Sequence, residues 1–170
     1  GNAYGDLGDY AKKRDMLERA LAIKERTYGR DHPSVATTLG NLGIAYGNLG
    51  DYAKRRDVLE RALSIKERAY GRDHPEVAIT LGNLGEAVRR LGDPSKAVEL
   101  LGRALSINEK AYGKDHVKTV FTLRDIGKAY CDLGDTAKAR DFLQRAIPLF
   151  ERANNNAGAM WCRNKLNSLT

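Results

Sequence analysis

The residues able to do chemistry fall at regular places. Three histidines, His32, His74 and His116, stand 42 residues apart, each inside the same short motif. Histidine binds a metal only when several ligands converge within a few ångströms, whereas equivalent atoms of stacked helical units sit about 10 Å apart, one helix-packing distance. No metal is expected. Each histidine lies in the first turn of a helix, where the positive dipole end disfavours an imidazolium, so the three read as turn residues. Ser34 and Ser64 have no histidine that the repeat would bring alongside, and Cys131 and Cys162, 31 residues apart, lack metal-ligand spacing. Two reduced thiols follow. The glycines contain no GxxxxGK[ST] phosphate loop. Neither enzymatic activity nor a cofactor is expected.

Composition sets the wider limits. The 170 residues are 42% hydrophobic and 30% charged, enough to bury a core and too apolar for disorder. A single domain over 1–170 is expected. No apolar run approaches the roughly 20 residues of a membrane helix, and there is no basic-then-apolar leader, so a soluble, cytoplasmic protein is expected. The net charge of +7 is spread evenly, with 14 basic and 12 acidic residues up to Gly85 and 15 and 10 beyond it. Lys12, Lys13, Arg14, Lys54, Arg55 and Arg56 would suit nucleic acid, but Asp15, Asp57 and Glu60 interleave with them, so nucleic acid is an unlikely partner.

The elements that carry these residues emerge when the chain is laid on itself at an offset of 42. Gly8, Gly50, Gly92 and Gly134 coincide, each followed by aspartate, and YGRDHP at 28–33 recurs at 70–75 and as YGKDHV at 112–117. All but seven of the thirty-six positions of 5–40 are repeated in 47–82. Within each period, DHP opens one helix, with Asp73 the expected N-cap, Pro75 tolerated in the first turn and Glu76 three residues after the cap. Val77, Leu81, Leu84 and Val88 then recur at helical spacing until Leu91-Gly92-Asp93 closes that helix and caps the next. Short loops make each pair antiparallel.

Helices are therefore expected at Pro33–Asn48, Tyr52–Tyr70, Pro75–Arg90, Pro94–Tyr112, 117–132 and Thr136–Arg152. A remnant is expected at 1–7, a separate helix at 10–28 and a closing helix at 157–169. The units run 33–74, 75–116 and 117–154, after a partial one at 1–32. Pro148 removes a backbone bond inside the last long helix and predicts a kink or unwinding there. Met160, Trp161, Leu166 and Leu169 should cap the apolar face of the last pair.

LG-x-AY-x-x-LGDY-x-K followed by LERAL-x-I resembles the tetratricopeptide repeat pattern, and YG-x-DHP-x-VA resembles its longer form in kinesin light chains. The resemblance covers the whole chain. It implies an all-α, right-handed α-solenoid of antiparallel helix pairs whose first helices line a concave binding groove. Eight residues beyond the usual 34 lengthen each helix by about one turn. It also implies small residues where paired helices meet, met by Gly43, Gly85 and Gly127 and by Ala97 and Ala139. Lys13 and Arg55 replace that alanine in the first two units, so their side chains must snorkel.

Carried over position by position, the resemblance puts Thr37, Gly40, Asn41, Ile44, Gly47 and Asn48 in the groove. The next unit adds Ile79, Gly82, Asn83, Glu86, Arg89 and Arg90, and the last adds Phe121, Arg124, Asp125, Lys128, Cys131 and Asp132. Asn41 and Asn83 match asparagines that hold a peptide backbone, a task suited to a group that both donates and accepts. Arg89, Arg90, Arg124 and Lys128 make one end basic. The carboxylate clamp of some family members is missing, since Gly40, Ile44, Phe121 and Asp125 occupy its places. The expected partner is a protein or peptide, acidic and with an apolar anchor near Ile79 and Phe121. The alternative is a spacer, oligomerisation or sensor arm with an empty groove. A monomer is expected, with end-to-end association open to it.

Overall fold

The computed structural model describes the backbone of residues 2–169 and the side chains of residues 8–169. Among the described residues eight α-helices follow one another: α1 (Asn2–Tyr28), α2 (Pro33–Asn48), α3 (Tyr52–Tyr70), α4 (Pro75–Arg90), α5 (Pro94–Tyr112), α6 (Val120–Asp132), α7 (Thr136–Arg152) and α8 (Asn156–Asn167). Among the described residues there is no strand. Each helix packs chiefly on its neighbours in sequence, and α4 also touches α2 and α6. That pattern is a stack of antiparallel pairs with α2, α4 and α6 on one side.

The turns follow from side-chain chemistry. Gly92, at φ 90°, lets its own amide reach Arg89 O while Asp93 N reaches Val88 O, which satisfies the last carbonyls of α4. The Asp93 carboxylate then accepts from Lys96 N and starts α5, as Asp51 and Asp135 do for α3 and α7. Before α8 the left-handed place is taken by Asn154, at φ 53°.

At the other turn the N-cap is the histidine and not the expected Asp73. His74 is extended, and its Nδ1 accepts from Glu76 N at 3.1 Å; His32 and His116 do the same for Ser34 N and Lys118 N. Proline at N1 holds His32 and His74 extended, which puts the imidazole in the cap, and His116 takes the same conformation before Val117. The ring also stacks on the tyrosine four residues earlier, at 5.0 Å for Tyr70 and His74.

Packing between paired helices is built on glycine. A Cβ at Gly43, Gly85 or Gly127 would stand under 3.0 Å from Leu59, Leu101 or Leu143, so the leucine of the second helix occupies the space left by the missing side chain. Ala62, Ala104 and Ala146 are wholly buried nearby. Successive pairs are tied by a ladder of ion pairs, Arg61 to Glu25, Arg103 to Glu67 and Arg145 to Glu109. Arg61 and Arg103 also donate to the carbonyls of Arg30 and Arg72, each at 2.9 Å.

Several boundaries depart from the sequence reading. α1 runs on through Gly8 and Asp9, where a break was predicted. Gly50, Gly92 and Gly134 end their helices at positive φ, whereas Gly8 of the same motif keeps a helical conformation and makes no such turn. The chain from Val117 to Thr119 is a 3-10 turn, not the first turn of α6. The Thr119 hydroxyl donates to His116 O at 2.7 Å, taking the carbonyl that an α-helical amide would use; valine fills that position in the earlier units. α7 continues through Pro148 without unwinding, since Pro148 and Gln144 both lie on the exposed face, where water meets the freed carbonyl. Lys13 is exposed on α1 and does not need to snorkel. α8 buries Ala159 and Cys162 in the same core as Phe150.

Candidate functional site: the groove of the first helices

One face of each first helix is left uncovered. On α2, Thr37, Asn41, Ile44 and Asn48 are exposed and Gly40 and Gly47 half-buried. On α4, Ile79 and Arg90 are exposed, and Gly82, Asn83, Glu86 and Arg89 are half-buried. On α6, Phe121 and Asp132 are exposed, with Arg124, Asp125, Lys128 and Cys131 half-buried.

The structure gathers the α4 and α6 positions into one trough. A cavity of about 390 Å³ is lined by Ile79, Asn83, Glu86, Phe121, Arg124, Asp125 and Lys128. At one end it shares Ile79 and Phe121 with a cavity of about 420 Å³ walled by Pro75, Tyr112, Val117 and Val120. At the other it shares Glu86 and Lys128 with a cavity of about 390 Å³ that adds Arg89, Arg90, Trp161 and Lys165. Asn41, Ile44 and Asn48 line none of the three.

The apolar end exists because one repeated position changes. Lys24 donates to Thr38 Oγ1 at 2.9 Å, and Lys66, only 7% exposed, donates to the Glu76 carboxylate at 2.9 Å, so each fills the gap between its unit and the next. In the following unit the shorter Asn108 stands in that lysine's place and Lys118 in that of Glu76. Lys118 turns instead over the Tyr112 ring, 4.0 Å from its centre. The unfilled space is the cavity beside Ile79 and Phe121.

Most of the cations expected to make one end basic have carboxylate partners of their own. Arg89 donates to both Glu86 oxygens and, at 2.6 Å, to Asp132. Burial alone would raise the Glu86 carboxyl, but the bonds from Arg89 together with the charges of Arg89, Lys128 and Arg55 hold the group below its usual range. Arg124 and Lys128 both donate to Asp125 Oδ1, at 3.0 and 2.9 Å. Arg90 donates to the Tyr52 hydroxyl and lies over that ring. Burial pushes the Cys131 and Cys162 thiols up, which disfavours their thiolate forms.

Among the groove residues that the sequence reading missed is Arg55. It belongs to α3, a second helix, yet its side chain crosses the α2 backbone at Gly47 and lines the central cavity. Its Nε is buried with no hydrogen-bond partner, and the bond that Nη2 donates to Asn83 Oδ1 is long, 3.4 Å. Burial pulls its pKa below the usual arginine value. The signal was available in the pairing of Arg55 with a glycine at 47.

Among the described residues no group of three or more His, Cys, Asp or Glu is placed to hold a metal, and no helix is long and apolar enough to cross a membrane. Antiparallel helix pairs stacked in order, with an uncovered trough along their first helices, define a helical repeat scaffold. The chain belongs to the tetratricopeptide repeat family, whose model matches residues 1–67, 48–110 and 96–152. It is similar to the nearly identical TPR-like repeats of a protein assigned to the kinesin light chains of Podosopora anserina, with TM-score 0.75 and 19% identity over 98% of this chain and 90% of that one. It is also similar to BtubC (BKLC) from P. vanneervenii, with TM-score 0.74 and 17% identity over 95% and 73% of the two chains. MamA 41-end from Desulfovibrio magneticus RS-1 gives TM-score 0.54 and 16% identity over 92% and 94%. At such identities the likeness is one of fold, a right-handed solenoid. No curated protein matches the sequence.

Proposed function

We propose that the trough on α4 and α6 binds an acidic peptide or helix segment that carries an apolar anchor. Tetratricopeptide repeats are protein-interaction scaffolds, and an extended groove is where such solenoids bind. The observation that carries the finer reading is the neighbourhood of Ile79 and Phe121. These side chains stay 56% and 51% exposed at the mouth of an apolar cavity, which favours a docking patch over a solvated surface. Beside them the trough holds Arg55, Arg89, Arg90, Arg124, Lys128 and Lys165 against three acids, Glu86, Asp125 and Asp132. An apolar side chain would enter beside Phe121 while the ligand's carboxylates meet the excess of positive charge. The resemblance to kinesin light chains, which take short peptides with an aromatic and acidic residues, supports the same ligand class.

A random-peptide display selection tests this, run on the wild type and on the variant with Arg124→Glu and Lys128→Glu together. Acidic peptides bearing one large apolar residue are expected to be enriched on the wild type and lost on the variant. No enrichment, or the same peptides on both proteins, would overturn the groove reading and favour a spacer.

A further inference from the structure

Arg55 and Arg89 reach the same side of successive units from opposite helices. In the second unit the first helix carries Arg89 and the second helix Ala97; one period earlier the pair is Gly47 and Arg55. A Cβ at Gly47 would stand 2.5 Å from Arg55 Nη1, so the glycine is what admits the guanidinium to the trough. The two arginines differ in what meets them there. Arg89 is held by Glu86 and Asp132. One period earlier those positions are Ile44 and Arg90, which offer no carboxylate. The acids that act on Arg55 across the trough, Glu86 and Asp125, are already bonded to Arg89 and to Arg124 and Lys128. Arg55 is thus a cation on the trough floor with a buried, unsatisfied Nε and no carboxylate of its own.

We infer that Arg55 is the specificity residue that fixes one acidic side chain of the groove ligand, its guanidinium fork receiving that carboxylate beside Asn83. A buried donor without a partner is costly, and a carboxylate on a planar guanidinium is the geometry that best relieves it. The inference rests on the groove reading and adds to it an address for one charge. It also accounts for the arginine itself. In the next two units the same position is alanine, wholly buried at Ala97 and Ala139, so packing does not ask for a cation there.

The test uses a peptide enriched on the wild-type protein by display, resynthesised with each Asp or Glu changed singly to its amide and with its C-terminus amidated. Arg55→Ala is expected to weaken binding of the parent peptide by about 10- to 100-fold. For one side-chain amide peptide, and only that one, wild type and variant should bind alike. The variant should unfold no earlier than the wild type, because alanine is what the fold carries at the two equivalent positions. Gly47→Ala, which displaces the guanidinium and keeps its charge, should reproduce the loss. Unchanged affinity in both variants, or equal losses from every amide peptide, would overturn the inference while leaving the groove reading intact. Coupling to the C-terminal amide alone would overturn the assignment to a side chain. Failure of the wild type to enrich any peptide would overturn both readings.

Discussion

Tyr46 donates its hydroxyl to Glu18 Oε1 at 2.6 Å, joining α2 to α1. Burial, and then the bond to Glu18, push the phenol from 10.0 up to about 12. The folded state thus binds this proton more tightly than the unfolded chain. Its contribution to stability is complete below pH 10 and is lost as pH climbs toward 12. Tyr46→Phe should therefore flatten the alkaline fall of the urea midpoint over that range; an unchanged slope would refute the linkage. At this scale the sequence spoke unevenly. Ile79 and Phe121 came from the groove positions that the family resemblance implies, and the structure leaves both exposed beside one cavity. Arg55 was not among those positions, because it sits on a second helix and enters the groove only through a gap in its neighbour. The pairing of Arg89 with Asp132 was hidden too, since the two lie in different units and meet only when α4 and α6 are stacked.

Glycines inside α4 divide by what lies opposite. Gly85 faces Leu101, where a Cβ would stand 2.7 Å from Cγ, whereas nothing lies within 4 Å of a Cβ at Gly82. Gly82→Ala should raise stability by about 1 kcal/mol through helix propensity alone. Gly85→Ala gains the same propensity but overpacks the α4–α5 contact, for a net loss of about 1 kcal/mol. Urea unfolding of the two variants gives the comparison, and equal shifts would refute the packing role. Helix ends were the most legible part of the fold: α2, α3, α4 and α5 begin and end, and α7 begins, where DHP, LGD and YG predict. What the local motif could not reveal was competition for a carbonyl at Thr119, or that α1 would continue through a Gly-Asp pair that ends a helix in the later units.

In the whole molecule α8 closes the stack. Ala159 and Cys162 join the core formed by Leu143, Ala146 and Phe150, and a Cβ at Gly158 would strike the Phe150 ring. Removing residues 155–170 would uncover that core, so the midpoint should fall and solubility drop with it. An unchanged midpoint would show that α8 is only an appendage.

The ladder that ties the units has a further consequence. Arg61 and Arg103 meet the same two partners in their own surroundings, a glutamate and an arginine carbonyl of the preceding unit. If 33–74 were excised, His32 would run into Pro75, and Arg103 would inherit Glu25 and the Arg30 carbonyl. In these ties the two joints are thus copies of each other, like identical storeys of a building. Tandem copies this alike misalign when genes recombine, and here the products of that error would still fit together. The length of the array is therefore a trait that heredity can change in whole storeys, while Arg55, present on one storey only, is what such a change would delete.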